Sequence, residues 1–402
     1  MDTVSLHVIS VFACAARMWW IAHIEGCPKR VNHAAVAVNH KIYSFGGYST
    51  GEDCRRYASM DVHVLNTHTN RWFKHPVSDL PYFENDDILP YKRYGHTAVV
   101  YKEYIYIWGG RNDRSPCSVL FRFDTFWHCW TAPPTTGSIP LARDGHSACV
   151  WKHYMYIFGG YEDETDLFGK QVYYLDLETF EWNYAICGGS EPTSRDFHTT
   201  VCIGDKIYLF GGRGATLSPM NQPLETYCNT VWYLDMRTLY WHSCKSTGDI
   251  PVGRRSNSAF VHNGKMYIFG GYNAVEGLHY NDLYMFDPVK FHWTMVQPHG
   301  QSPCERRRQA CANVGDRVFI FGGTSPMNRT REENALAGID GLVDHSDMFV
   351  LDFSPSLKTL CMVAVKNYGL YYSDLPQTLK VELYNMQAPN KITINRPSNS
   401  AG

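Results

Sequence analysis

The sequence predicts an all-β protein, a closed ring of six four-stranded units followed by a short helical segment. Three registers carry that prediction. A Gly-Gly doublet closes an aromatic strand six times, and an arginine stands sixteen residues before every doublet. In five of the six units a Trp then follows an Asp or Asn by six residues.

The doublets lie at 46–47, 109–110, 159–160, 211–212, 270–271 and 322–323. Before them stand Phe45, Trp108, Phe158, Phe210, Phe269 and Phe321, with Tyr43, Tyr106, Tyr156, Tyr208, Tyr267 and Phe319 two residues further back. Short, continuous apolar runs that end in glycine read as strands buried on both faces. Upstream are Arg30, Arg93, Arg143, Arg195, Arg254 and Arg306, followed at the third residue by His33, His96, His146, His198, Asn257 and Gln309. Downstream come Asn66/Trp72, Asp124/Trp130, Asp176/Trp182, Asp235/Trp241 and Asp287/Trp293. Each unit thus reads as an inner strand, the aromatic strand, a third strand ending near the Asp, and an outer strand at the Trp. A seventh doublet, Gly188-Gly189, lacks these flanks.

This pattern resembles the kelch repeat, and six units imply a six-bladed kelch β-propeller. The sixth unit has Asp352 but Lys358 where a Trp is due, while Trp20 precedes the first unit. An N-terminal strand around Trp20 is therefore expected to close the last blade and remove the open edge. The expected division is an N-terminal extension over 1–17, the propeller over 18–355, helices over 356–386 and a flexible tail over 387–402.

Lys and Arg number 37 against 39 Asp and Glu, so no surface-wide nucleic-acid face is expected. Thirteen scattered cysteines form no C-x-x-C pair and read as reduced thiols. Residues 4–16 are apolar but broken by His7, so neither a signal peptide nor a membrane span is expected. The sequon Asn328-Arg329-Thr330 is discounted on the same thiol argument. The four repeat histidines sit on different blades and do not converge as metal ligands must. With no His-Glu-x-x-His and no phosphate loop, neither catalysis nor a metal or cofactor is expected.

Function is sought where the blades differ. Directly after the doublets stand Tyr48, Arg111, Tyr161, Arg213, Tyr272 and Thr324. Between the repeat arginine and the His position lie Tyr94, Asp144, Asp196-Phe197, Arg255-Ser256 and Arg307-Arg308. Guanidiniums beside aromatic rings suit a carboxylate or phosphate. Asp144 and Asp196 suit a cation on the same ligand.

After Pro355 the period changes. Leu357, Leu360, Cys361, Ala364 and Val365 share one helical face. Ser356-Leu357-x-x-x-Cys361-x-x-x-Val365 resembles an elongin-C-binding box, and Leu375-Pro376-x-x-Leu379 a cullin-2 box whose helical face Leu383 extends. Together with the ring they are similar to the kelch-repeat substrate receptors of cullin-2 RING ubiquitin ligases. That resemblance implies elongin B, elongin C, cullin-2 and a RING-box protein as partners. It also implies substrates whose C-terminal degrons end in glycine, with a basic or polar residue shortly before it.

It further implies a degron carboxylate held by Arg213 and Arg255, with Arg254 alongside, and pocket walls from Tyr161, Phe197, Tyr272 and Ser256. A further family arginine falls on Ser218, and Asp144 and Asp196 would take the degron's upstream cation. The chain's own Ala401-Gly402 end is a candidate for self-association through that pocket. A cytoplasmic and nuclear pool is expected. Two other readings remain: a nuclear chromatin-binding scaffold using Arg306-Arg307-Arg308, and a partner-binding propeller without a role in degradation.

Overall fold

The computed structural model describes residues 17–54, 58–76, 89–217, 223–327 and 341–394. The segments 1–16, 218–222, 328–340 and 395–402, which hold most of the N-terminal extension, Ser218, the sequon and the Ala401-Gly402 end, lie outside the described residues.

Six antiparallel four-stranded blades follow the predicted order. In blade 3, for example, Ser147–Trp151, Tyr154–Phe158, Val172–Asp176 and Glu181–Ala185 pair in sequence. The Asp that ends a third strand makes the turn into the fourth. Asp176 Oδ1 accepts the amides of Glu178 (2.8 Å) and Thr179 (3.2 Å), and Asp124, Asp235 and Asp287 do the same in their blades.

The repeat arginine clamps the doublet. Arg195 Nη1 donates to the Gly211 carbonyl at 2.8 Å and its Nε to the Thr193 carbonyl at 2.9 Å. Arg143, Arg254 and Arg306 repeat both bonds. Glycine is required at the doublet because the next blade presses on it. A Cβ on Gly322, whose φ is 66°, would stand 2.6 Å from the Arg30 carbonyl and 2.7 Å from the His33 ring.

Tryptophans carry the contacts between blades. The ring centroids of Trp182 and Trp108 lie 5.3 Å apart, Trp241 and Phe158 5.4 Å, Trp293 and Phe210 5.2 Å, and Trp72 and Phe321 4.8 Å. Each pair joins an outer strand to the aromatic strand of the blade before it, burying the large ring faces that dominate core energetics.

The ring closes as expected, with one correction. Met18–His23 is the outer strand of blade 6 and pairs with Met348–Asp352. The residue equivalent to the blade tryptophans is Trp19, not Trp20. Trp19 lies opposite Leu351 and packs 5.5 Å from Phe269 of blade 5. Strand alternation sends Trp20 to the other face, into the core shared with Trp72 and Phe321.

The outer edges are covered by features the repeat did not announce. Thr136–Gly137, Gly188–Gly189 and Thr247–Gly248 each run parallel to the outer strand of the blade they lead into. The seventh doublet is therefore an edge strand. On blade 1 this place is taken by Thr393–Ile394, paired with Phe73 and Lys74. The preceding segment is held too. Arg71 donates to the carbonyls of Asn385, Ala388 and Pro389 at 2.8, 3.0 and 3.0 Å. The Asn390 side chain accepts from the Trp72 amide at 3.2 Å and donates to the Gly26 carbonyl. Residues 388–394, expected within a flexible tail, are thus docked on blade 1.

Candidate functional site: a charged cavity on the ring axis and an exposed helix face

The floor of the site is a closed ring of backbone. Asn32, Gly95, Gly145, Phe197, Ser256 and Arg308 each donate an amide to the carbonyl of the equivalent residue on the preceding blade, at 2.7–3.2 Å. All of them have positive φ, between 48° and 70°. Asn32, Phe197, Ser256 and Arg308 are non-glycine residues held in the left-handed region, which for the last three is a strain of about 1–2 kcal/mol each that the closed ring sustains. One residue earlier, an antiparallel pair forms the wall of each blade. Asp144 faces Tyr161, Asp196 faces Arg213, Arg255 faces Tyr272 and Arg307 faces Thr324.

Above the floor opens a cavity of about 680 Å³ lined by Tyr48, Tyr94, Arg111, Asp144, Tyr161, Asp196, Phe197, Arg213, Arg307 and Arg308 among others. That volume suits a few residues of extended peptide.

The arginines around it differ in what they already hold. Arg111 pairs with Asp163 at 2.6 Å. Arg213 forks onto both oxygens of the fully buried Asp196 carboxylate, with Nε to Oδ1 at 3.1 Å, and its Nη1 reaches Glu225 at 3.4 Å. Arg255 meets the same Glu225 at 3.8 Å. Among the described residues no carboxylate lies within ion-pair distance of Arg307 or Arg308. Arg307 lies 4.4 Å from the Tyr272 ring centroid, and Arg308 donates to the Tyr48 hydroxyl at 2.7 Å. The buried Nε of each is unpartnered. Burial, then the charges of Arg308 and Arg255, push the Arg307 guanidinium down to about 10. Among the described residues, blade 6 therefore holds two guanidiniums without a carboxylate partner. On blade 3 the Asp144 carboxyl is pushed up to about 6, chiefly by burial, with Arg111 opposing and Asp196 adding to the shift.

The candidate residues thus divide. Arg213, Asp144, Asp196, Tyr161 and Phe197 line the cavity, Ser256 forms part of its floor, and Arg255 and Tyr272 stand beside Arg307. Arg254 does not belong with them. It is fully buried, clamps Gly270 and pairs both nitrogens with Asp282. Asp196 is not open to an upstream cation either, because Arg213 already covers its carboxylate. The Arg306-Arg307-Arg308 patch loses its first member, since Arg306 is buried and bonds Asp347 at 2.7 and 2.8 Å. Arg307, Arg308 and Tyr48, named among the blade-specific positions but not among the carboxylate-binding or wall residues, also line the cavity. The signal for them was a charge at two consecutive off-repeat positions of one blade.

The histidines are structural. Burial depresses His33, His96 and His198 to about 3, so they are neutral, and His146 and His198 bond the hydroxyls of Thr97 (2.8 Å) and Ser147 (2.7 Å) on the preceding blade. No group of three or more His, Cys, Asp or Glu among the described residues is placed to hold a metal. Gly47-Tyr48-Ser49-Thr50-Gly51 has the spacing of a hydrolase nucleophile turn, but Ser49 Oγ donates to the Lys29 carbonyl at 2.6 Å and accepts from Arg30 at 2.9 Å. Both bonds are structural, and among the described residues no histidine is hydrogen-bonded to that serine.

Beyond the ring, helix α1 spans Leu357–Tyr368 and helix α2 Gln377–Gln387. Ser356 caps α1 by accepting the Thr359 amide at 3.1 Å, and Gly369 ends it in the left-handed conformation. Met362 and Val363 anchor α1 in the core beside Trp20, while Leu383 and Met386 anchor α2. Lys358 joins the helices through Glu382 at 2.6 Å. The box positions separate accordingly. Leu357 is 65% exposed and Cys361 is exposed, whereas Val365 and Leu375 pack partly on the core. Leu379 is half-buried and Pro376 is exposed at the start of α2. Leu383 does not extend an open face, because it is buried. Tyr368 and Tyr371 add exposed rings close by in sequence. No helix among the described residues is long and apolar enough to cross a membrane.

Comparison with known proteins agrees with this architecture. The KLHDC2/KLHL20/DRC7 Kelch-repeats domain matches residues 95–323, and the Kelch motif matches residues 29–79. The chain is 46% identical over 375 residues to Kelch domain-containing protein 3 of Homo sapiens and of Bos taurus, covering 93% of this chain and 97% of each relative. Host cell factor homolog hcf-1 of Caenorhabditis elegans is 28% identical over 255 residues, or 59% of this chain and 32% of that protein. With matched repeats around the ring and 97% coverage of Kelch domain-containing protein 3, the chain belongs to the kelch-repeat family that includes that protein.

Proposed function

We propose that this chain is a non-catalytic receptor for the C-terminal ends of other polypeptides. In this reading it is the substrate-recognition subunit of a cullin-2 RING ubiquitin ligase, and its ligands are degrons ending in glycine. One observation carries the reading: Arg307 and Arg308 stand at the axial cavity with no carboxylate among the described residues to neutralise them, and Arg255 adjoins them. Neighbouring guanidiniums in a part-buried hollow select an oxyanion with two equivalent acceptor atoms, which a free chain end supplies and an internal peptide bond does not. A terminal glycine lets that end lie close to the backbone ring of the floor. Asp144, across the cavity, suits a basic side chain shortly upstream.

The exposed Leu357 and Cys361 support a helix-in-groove contact with elongin C, which brings elongin B, cullin-2 and a RING-box protein. The receptor would then raise the effective concentration of substrate at the ubiquitin-charged enzyme. Such an assembly would act in cytoplasm and nucleus. The chromatin reading is weakened by the burial of Arg306.

Two measurements test the proposal. A peptide ending in glycine as a free acid should bind at least about tenfold more tightly than its C-terminal amide, because the charge-assisted bonds are lost. Equal affinities would remove the carboxylate reading. The double variant Leu357→Asp, Cys361→Asp should lose elongin C in affinity purification while keeping peptide binding, and undiminished capture would remove the adaptor reading.

A further inference from the structure

Arg213 is shared by two carboxylates in very different circumstances. Asp196 is fully buried, follows a repeat arginine and forks onto the guanidinium through both oxygens. Glu225 lies on the strand Pro223–Tyr227, which pairs with Arg213–Leu217. Its side chain is 39% exposed, its contacts to Arg213 and Arg255 are long at 3.4 and 3.8 Å, and the Tyr227 hydroxyl donates to it at 2.7 Å. Asp196 satisfies one edge of the guanidinium. Glu225 touches the Nη1 atoms of both arginines, so it sits where an incoming carboxylate would bridge blades 4 and 5.

A partly exposed ion pair at such distances contributes little to folding. It does lower the positive potential that draws an anion. The contrast with blade 6 is direct, because Arg307 and Arg308 have no acidic residue in this position among the described residues.

We propose that Glu225 is a built-in competitor, a carboxylate of the protein itself that occupies the Arg213–Arg255 bridge in the empty receptor and yields it to the ligand's terminal carboxylate, which Arg307 and Arg308 draw in alongside Arg255. This deepens the chain-end reading and rests on it. It gives the two carboxylates on Arg213 opposite signs in binding: Asp196 positions the guanidinium and Glu225 opposes the ligand. Tyr227, by holding Glu225 in place, strengthens the opposition. A chain end must then offer more than one weakly held anion to displace it, so peptides with an additional acceptor near the terminus gain most.

The test measures binding of a fluorescein-labelled ten-residue peptide ending in Arg-Gly, as free acid and as amide, to the full chain. Glu225→Gln should tighten the free acid by about three- to tenfold, leave the amide within about twofold, and leave thermal stability unchanged. Tyr227→Phe, which keeps the ring and removes the hydroxyl, should tighten the free acid in the same direction by a smaller factor. Asp196→Asn should weaken it. If Glu225→Gln leaves free-acid affinity unchanged or lowers it while wild type still prefers acid over amide, the competitor role is overturned and the chain-end reading stands. If wild type does not distinguish acid from amide, the chain-end reading itself has failed.

Discussion

Arg306 and Arg307 are neighbours in sequence and opposites in circumstance. Arg306, like Arg254 in the blade before it, lies in a layer inside the blades where its N–H groups are committed to a glycine carbonyl, a nearby carbonyl and a carboxylate. One residue on, at the wall of the cavity, Arg307 and Arg255 meet aromatic faces and little negative charge. The layer maintains the fold and the wall is left unsatisfied. Residue type alone therefore says nothing about role in this protein. In the proposed chain-end receptor, the guanidiniums without a partner charge are the ones that meet the ligand.

The largest expected effect comes from breaking the layer. Arg306→Met strands Asp347 and frees the Gly322 carbonyl, so it should destabilise the chain by about 3–5 kcal/mol in urea unfolding. Arg307→Met should stay within about 0.5 kcal/mol of wild type or gain stability, since it relieves repulsion among like charges. Equal losses would erase the distinction. Next in size, Arg308→Ala should weaken binding of a free-acid glycine-ended peptide by about 1.5–3 kcal/mol, or roughly ten- to a hundredfold, without weakening the amide.

The smallest effect is a pH dependence. Asp144 has its carboxyl raised to about 6 by burial, so the folded state holds its proton more tightly than the unfolded chain does. Its contribution to stability is thus fully present below the usual carboxylate range and is lost as pH rises through about 6. Binding runs the other way. A peptide with a basic residue before its glycine should bind about two- to fivefold better at pH 7.5 than at pH 5, as the carboxylate forms. Asp144→Asn should flatten both trends, and an unchanged binding profile would release Asp144 from the upstream contact.

The ring was readable because its determinants repeat. Doublet, arginine and tryptophan each fill one geometric slot in several blades, so their spacing states the fold. What escaped reading lacked local information. Trp19 and Trp20 both fit the closing strand, and only the register against Leu351 and Val350, more than three hundred residues away, selects Trp19. The two-residue edge strands pair through backbone, and their mark is only a glycine with a proline three residues on, at Gly137, Gly189 and Gly248, which lies outside the Arg and Gly-Gly register. The docking of residues 388–394 depends on Arg71 gripping carbonyl groups, which every residue has. In the site, Arg254 and Arg255 look alike until Asp282 and Glu225 are placed beside them. The helix boxes gave the two helices but not their orientation. The same stripe holds Leu357, which points outward, and Val365, which packs partly inward.

The strand carrying Trp19 and Trp20 has a consequence for how the chain is made. Its partner, Met348–Asp352, is synthesised more than three hundred residues later. For all of that interval two large indoles have no blade to enter. The nascent polypeptide must shelter them, by a chaperone or by provisional collapse, and the circle can snap shut only once the sixth blade has been made.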